Sequence, residues 1–166
     1  MEFAIKDNYL KLLALVEKEL SNDSSHTLDH IQRVWRTAIQ IASEEKDVDM
    51  DVLKTAVLLH DIARIKEDTD TSRKIDHAML GAEIAETVLK QMLYPEETIR
   101  KMKLCIQTHR FKSGREPVSI EAKYSMMPIR LMHLEQSGLP GLTLSPVNIT
   151  SKYIRLFRSN NILRTI

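Results

Sequence analysis

Histidine and aspartate are the residue types of this sequence whose spacing could support chemistry. Imidazole nitrogen and carboxylate oxygen together suit divalent transition metals such as Mn, Fe, Co, Ni or Zn. Five of the six histidines lie in or beside predicted helices: His26, His30, His60, His77 and His109. A single helical histidine is more often structural than a ligand. The metal-site hypothesis therefore depends on the order of all these residues along the chain.

The strongest single signal is the pair His60-Asp61. Adjacent residues of an α-helix point about 100° apart, so both can reach one ion only at a helix end or an irregular turn. The apolar run "TAVLLH" gives way to "DIARIKEDTD" at this pair. This change of character predicts a helix end there, so both side chains could share an ion.

Helices must position these side chains. Apolar residues recur at helical spacing and there are only four glycines, which predicts an all-α fold. We expect a first helix with Leu10, Leu13, Ala14 and Leu20 on one face; a second capped by Ser24 or Ser25; a third starting at Asp49 or Asp51; a polar loop over 65–75; a fourth helix from about 77 to 93; and later helices starting near Pro95 and Ser119.

Bulk composition narrows the function classes. A chain of 166 residues suits one domain with one substantial core. The net charge of +1 gives no case for binding a nucleic acid polymer or a membrane. The acids near the N-terminus argue against a signal peptide, and no apolar run could span a bilayer. Cys105 is the only cysteine, which excludes an internal disulfide and favours a buried thiol in a reducing cytoplasm.

Four stretches together resemble the small stand-alone members of the HD-domain metal-dependent phosphohydrolases. They are "SHTLDHIQRVWRTAIQIA", "TAVLLHDIAR", "DHAMLGAEIAETVL" and "CIQTHRFKSG". The resemblance covers about residues 22–123, and the order of the motifs is specific although each motif alone is weak. It implies an all-α domain of five or more helices around a metal site. It also implies hydrolysis of phosphate esters or phosphoanhydrides, often of nucleotides.

The resemblance assigns roles to particular residues. It implies that His30, His60 and Asp61 are metal ligands. His77 and His109 match histidines that bind a second ion in some members, with Asp61 as the bridge, and that face the substrate phosphate in members with one ion. Asp61, His77 and His109 are accordingly the candidate catalytic residues. The implied cofactor is a divalent ion of unknown identity: Mn, Fe, Ni, Co, Mg or Zn.

Basic residues are the candidates for binding the substrate phosphate. Arg33 and Arg64 match positions that are often basic in the family; Arg64 is the candidate for phosphate binding, and a salt bridge is the alternative role for both. Lys74 and Arg73, in the polar loop before His77, are weaker candidates, and a solvated surface is the default role there. His26 matches a frequent histidine at a helix start, where it would cap the helix or support a ligand.

The C-terminal part of the sequence changes character. Residues 127–166 hold five bases and one acid, whereas residues 1–126 hold 19 bases and 22 acids. No aspartate follows Asp76. The resemblance requires one more aspartate ligand on a later helix, in text resembling "DADKLDALGAIGIAR", where this chain reads "MPIRLMHLEQSGLPGL". His133 and Glu135 are substitutes that nothing in the spacing favours.

A shifted reading frame would explain this change. Codons for Met126 to Leu142 can be chosen so that reading from the third base of the first codon gives D-A-D-K-I-D-A-F-G-A-I-G-I-A-R-T. The redundant bases are free, but many first and second bases are fixed by the protein sequence. We therefore predict an HD domain over 1–126, a frameshift at about 125–127, and out-of-frame text over 127–166. The alternative is a diverged family member with a genuine basic tail.

The sequence thus predicts a metal-dependent phosphohydrolase acting on a small, nucleotide-like phosphate substrate and impaired by the loss of one ligand. A non-catalytic metal- or nucleotide-binding relic is the second hypothesis, and a plain helical interaction protein is the third. We expect a cytoplasmic protein with no membrane or nucleic acid partner, whose tail could serve in homo-oligomer contacts.

Overall fold

The fold is all-helical in the part of the chain that the structure describes. This computed structural model describes the backbone of residues 2–20, 26–110 and 113–136, with side chains over 8–20, 28–110 and 113–132. Its helices are α1 (Glu2–Leu20), α2 (His26–Ala42), α3 (Met50–Leu59), α4 (Arg64–Asp68), α5 (His77–Gln91), α6 (Glu96–Thr108) and α7 (Ile120–Gln136). The prediction of an all-α fold is confirmed.

Helix α3 lies at the centre of the bundle and packs against α1, α2, α6 and α7. It is hydrophobic nearly all round, as a fully enclosed helix must be. Leu58 and Leu59 belong to a core shared with α1, α5 and α6, whereas Leu53 and Val57 belong to a second core shared with α2 and α7. Truncating Leu58 to alanine should cost about 2–5 kcal/mol. Helix α3, which ends at the pair His60-Asp61 (the HD pair), is therefore held by packing against four other helices.

Short polar side chains start three of the helices. Asp49 accepts hydrogen bonds from the backbone amides of Asp51 and Val52, 3.1 and 3.2 Å away, at the start of α3. Asp76 does the same for α5, and the Ser119 hydroxyl accepts from the Ala122 amide of α7 at 3.1 Å. The predicted starts at Asp49 and Ser119 are confirmed. The predicted caps Ser24 and Ser25 lie outside the described residues.

Two predictions about local structure are wrong. The buried face of α1 carries Leu12, Val16 and Leu20, while Leu10 is 54% exposed. Apolar residues occupy more than one side of α1, and packing against α3 selects the face. Residues 65–75 are also not all loop, because α4 occupies their beginning.

The loop after α4 is ordered by one aspartate. The Asp70 carboxylate accepts hydrogen bonds from the Ser72 hydroxyl (2.6 Å) and from the backbone amides of Ser72, Lys74 and Ile75 (2.8–2.9 Å). These bonds stabilise a turn in which Arg73 has a positive φ of 55°. The turn leads directly to Asp76 and α5, so it sets where that helix begins.

Helix α7 continues beyond Met126 to Gln136 and contains Pro128. A proline inside a helix removes one backbone hydrogen bond and costs about 3 kcal/mol. The helix offsets this cost by burying Tyr124, Met127, Ile129 and Leu131 against α2 and α3.

None of the helices α1 to α7, as described, is both long enough and apolar enough to cross a bilayer. Cys105 is a free, fully buried thiol on α6. Burial, together with the nearby charge of Glu121, raises the pKa of Cys105 to about 12, so this thiol stays protonated and unreactive.

Candidate metal centre

The HD pair lies at a helix end. Helix α3 stops at Leu59, His60 is its C-terminal cap, and Asp61 stands in the turn that follows. The turn is closed by hydrogen bonds from the Ile62 amide to the Leu59 carbonyl (3.2 Å) and from the Arg64 amide to the Asp61 carbonyl (2.8 Å). The adjacent side chains can therefore face one another, with His60 Nε2 3.4 Å from Asp61 Oδ2.

The Asp61 carboxylate lies at the centre of four imidazoles. Its Oδ2 atom is 3.8 Å from His30 Nε2 of α2 and 3.4 Å from His60 Nε2. Its Oδ1 atom is 3.3 Å from His77 Nε2 at the start of α5 and 3.5 Å from His109 Nε2 at the end of α6. We call His30, His60 and Asp61 the rim triad, and Asp61, His77 and His109 the buried triad. In each triad three ligand atoms lie within 4.8 Å of one another.

Hydrogen bonds on the far side of three rings define their tautomers. His60 Nδ1 lies 2.6 Å from the Val57 carbonyl, and His109 Nδ1 lies 2.6 Å from the Ile106 carbonyl. His77 Nδ1 lies 2.6 Å from the Glu67 carboxylate. Carbonyl and carboxylate oxygens only accept, so each Nδ1 must carry the hydrogen and donate it. In the neutral rings every Nε2 therefore presents a lone pair to Asp61.

In the neutral form of these rings, the arrangement brings acceptors together without donors. His77 Nε2 lies 3.1 Å from His109 Nε2, and the buried Nε2 of His60 has no hydrogen-bond partner among the described side chains. Lone pairs and a carboxylate facing one another in a buried site repel unless a cation lies among them. The donor set of imidazole nitrogen and carboxylate oxygen fits a divalent transition metal. The residues present thus fit such an ion in either triad.

Burial and charge set the protonation of the cluster. Burial tends to raise the pKa of Asp61, but attraction to His60 and hydrogen bonding with the surrounding imidazoles lower it well below its usual range. Burial lowers the pKa of His109, and burial with the positive field of His60 lowers that of His30 to about 4. At neutral pH the cluster therefore combines an ionised carboxylate with at least two neutral imidazoles.

A network of ion pairs surrounds the buried triad. The Glu67 carboxylate, which accepts from His77, also accepts from Arg110 Nη1 at 2.7 Å. Asp76 pairs with Arg115 and lies 3.9 Å from Arg110 Nη1. The sequence interpretation did not identify Glu67, Arg110 or Arg115. Only the position of Arg110 directly after His109 gave a signal that could have been used.

The predicted phosphate-binding residues lie near this network to different degrees. Arg64 Nε is 3.4 Å from Asp68, and its Nη1 is 3.8 Å from Glu67 Oε2. Its charge also acts on His30 and lowers the pKa of that ring, after the larger lowering effects of burial, His60 and Arg33. Lys74 is exposed in the loop that Asp70 orders. The side chains of His26, His133 and Glu135 lie outside the described residues.

The helical fold and the histidine-aspartate cluster define a class of protein. The family model of the HD domain matches residues 27–134, well over half of the chain. The chain therefore belongs to the HD domain family, a superfamily of metal-dependent phosphohydrolases, and the resemblance recognised in the sequence is confirmed.

A solved structure has the same fold. The chain is similar to the crystal structure of a predicted HD superfamily hydrolase from an uncultured Thermotogales bacterium, with a TM-score of 0.66 and 24% identity. The match covers 90% of this chain and 88% of that chain. A comparison with curated proteins found no match.

Proposed function

We propose that this protein hydrolyses phosphate esters or phosphoanhydrides of small, nucleotide-like molecules with a divalent metal ion. One observation carries the proposal: the ring nitrogens of His60, His77 and His109 and an ionised Asp61 converge in a buried cluster whose donor set fits a cation. Membership of the HD family supports hydrolytic chemistry at such a cluster.

The side chains of the cluster would have separate roles. His30, His60 and Asp61 would hold an ion in the rim triad, and His77 with His109 would hold a second ion or face the substrate phosphate. When bound, a divalent ion lowers the pKa of its water from about 15.7 towards 7 and neutralises developing phosphoryl charge. Arg64, whose guanidinium is partly exposed and lies 3.8 Å from Glu67 beside the cluster, would bind the substrate phosphate. Lys74 would add a second positive charge from the loop before α5.

The missing aspartate supports a second candidate, a non-catalytic metal- or nucleotide-binding domain. No aspartate follows Asp76, so the rim triad has two imidazoles and one carboxylate where the family pattern has a further carboxylate. Loss of a ligand weakens both metal affinity and activity. We propose that a frameshift at about 125–127 caused the loss.

Metal analysis and a phosphatase panel distinguish the two candidates. The purified chain should retain a divalent ion and turn over nucleotide or model phosphate esters with Mn²⁺ or Ni²⁺. His60→Ala should lower both ion retention and turnover, and Asp47→Asn, an exposed carboxylate between α2 and α3, is the control. Bound ion or nucleotide without turnover would favour the relic. A chain that binds neither would contradict both candidates.

Restoring the alternative reading frame tests the frameshift. The gene should be sequenced across codons 120–145, and a chain with the DADK-like segment restored should be compared with the present one. We expect the restored chain to bind metal more tightly and to hydrolyse faster. If no single-base shift opens the DADK-like frame, the frameshift is wrong. Equal activity of the two chains would show that the aspartate is dispensable here.

A further inference from the structure

The ring of His77 differs from those of His60 and His109 in what holds it. The latter two follow a helical turn and donate Nδ1–H to the backbone carbonyl three residues earlier, Val57 or Ile106. His77 is the first residue of α5, so the residue three positions earlier, Lys74, belongs to a loop. No preceding helical turn supplies the acceptor for His77 Nδ1, and a side chain from another helix does so instead.

Glu67 supplies that acceptor from α4. Its Oε2 atom lies 2.6 Å from His77 Nδ1, and the His77 side chain is only 2% exposed. Its other oxygen, Oε1, accepts from Arg110 Nη1 at 2.7 Å. The two oxygens therefore have separate partners, one imidazole and one guanidinium. Arg110 follows His109 directly, so one carboxylate connects the segments that carry both histidines of the buried triad.

Glu67, Asp76 and His77 also lie close enough to be considered as a separate cation site. The Asp76 carboxylate already caps α5 by accepting from the amides of Ala78 and Met79, and it pairs with Arg115. Arg110 neutralises Glu67. The negative charges of this group are thus matched by arginines, and the geometry is that of a support for His77.

We propose that Glu67 is a positioning residue that fixes the Nδ1–H tautomer of His77 and so directs its Nε2 lone pair towards Asp61 and His109. This inference rests on the proposed function for its purpose, but it can be measured without turnover. A carboxylate that accepts from the outer nitrogen of a ligating histidine sets the ring orientation and raises its basicity, and its loss typically lowers metal affinity roughly 10- to 100-fold.

The test uses the full chain, free of metal, with ¹⁵N-labelled histidine. Nitrogen chemical shifts distinguish a protonated from an unprotonated ring nitrogen, so they report the tautomer of each histidine. We expect the Nδ1–H form of His77 to dominate in the wild type, to fall in Glu67→Gln, whose amide can accept or donate, and to fall further in Glu67→Ala. His60 and His109 should keep their shifts, because backbone carbonyls hold them.

Titration with Zn²⁺ provides the second measurement. Affinity should fall roughly 10- to 100-fold in Glu67→Ala and less in Glu67→Gln. Glu86→Gln is the matched control, because Glu86 also pairs with two cations, Lys90 and Lys103, and also joins two segments, but contacts no histidine. This variant should keep wild-type histidine shifts and Zn²⁺ affinity.

Two results would overturn the inference. The first is an unchanged His77 tautomer and unchanged Zn²⁺ affinity in folded Glu67→Gln. The second is an equal shift of all three histidines in that variant, which would mean that Glu67 holds the fold and not one ring. A chain that hydrolyses nothing, but whose His77 tautomer follows Glu67, would reject the proposed function and leave the positioning role standing. If the chain hydrolyses phosphate esters but the His77 tautomer does not change in Glu67→Gln, only the positioning role would be rejected.

Discussion

The two triads share Asp61 but differ in how firmly their histidines are held. In the buried triad both His77 and His109 are almost inaccessible, and each donates its outer N–H to a fixed acceptor. In the rim triad His30 has a side chain that is 30% exposed and stands on the second turn of α2. A preorganised ligand set loses less freedom on binding an ion. The triad that lacks the family's additional carboxylate is therefore also the looser one.

The largest effect should come from Asp61, because it belongs to both triads. Asp61→Ala leaves imidazoles with no central carboxylate, so Zn²⁺ and Mn²⁺ binding and any hydrolysis should fall by at least about 100-fold. Calorimetric titration and metal content after gel filtration measure the loss. Asp68→Asn, an exposed carboxylate on α4, should bind normally. Substantial affinity in Asp61→Ala would mean that neither triad is the metal site.

The next effect separates the triads. His77→Ala and His109→Ala should each lower Zn²⁺ affinity more than His30→Ala does, because the buried triad is the better preorganised. We expect losses of at least roughly 10-fold for the first two variants and a smaller loss for the third. Parallel titrations of the three purified variants measure the difference. A greater loss in His30→Ala would reverse the ranking of the triads.

A smaller effect should appear in the KM for the substrate, while metal affinity should stay unchanged. Arg64→Ala removes a guanidinium from the surroundings of the cluster, so the KM for a phosphate substrate should rise several-fold, or about 1 kcal/mol of binding free energy. Zn²⁺ affinity should stay within twofold. Arg36→Ala, on the exposed surface of α2, serves as the control. An unchanged KM would limit Arg64 to its ion pairs with Glu67 and Asp68.

The smallest effect should come from the Asp70 loop, which leads to His77 at the start of α5. The Ser72 hydroxyl and the amides of residues 72, 74 and 75 lower the pKa of Asp70 to about 2. Asp70 is therefore a carboxylate that stabilises the fold above its unfolded pKa of about 3.9, and this contribution is lost as pH falls through about 2. Asp70→Asn should flatten stability between those pH values and speed amide exchange at Ile75. No change in either would show that the turn forms without the carboxylate.

Local signals in the sequence were sufficient to predict most of the cluster. The HD pair had to stand at a helix end to be useful, and the change from apolar to polar residues marked that end. His77 and His109 lie at helix ends for similarly local reasons: Asp76 caps α5, and α6 stops at Thr108. Family resemblance then indicated that these helix ends meet, which no local pattern can show.

Other features depend on tertiary contacts that a single sequence does not display. Glu67 and Arg110 are 43 residues apart, and only the packed bundle brings them within hydrogen-bond distance. The segment that carries Glu67 reads as a polar loop because α4 is short and carries no buried residue. The face of α1 was misassigned for a related reason: several of its sides are apolar, and the partner helix selects one.

Cys105 provides an internal reporter of how tightly the centre is closed. The only thiol of the chain is fully buried on α6, one helical turn before His109. A thiol reagent can therefore modify it only when α6 opens, and the modification rate depends on how often α6 opens. An ion bound at His109 would stabilise the closed form by a free energy that grows with the logarithm of its concentration relative to its Kd. The half-life of Cys105 labelling, measured by mass spectrometry, would therefore report metal occupancy without a substrate.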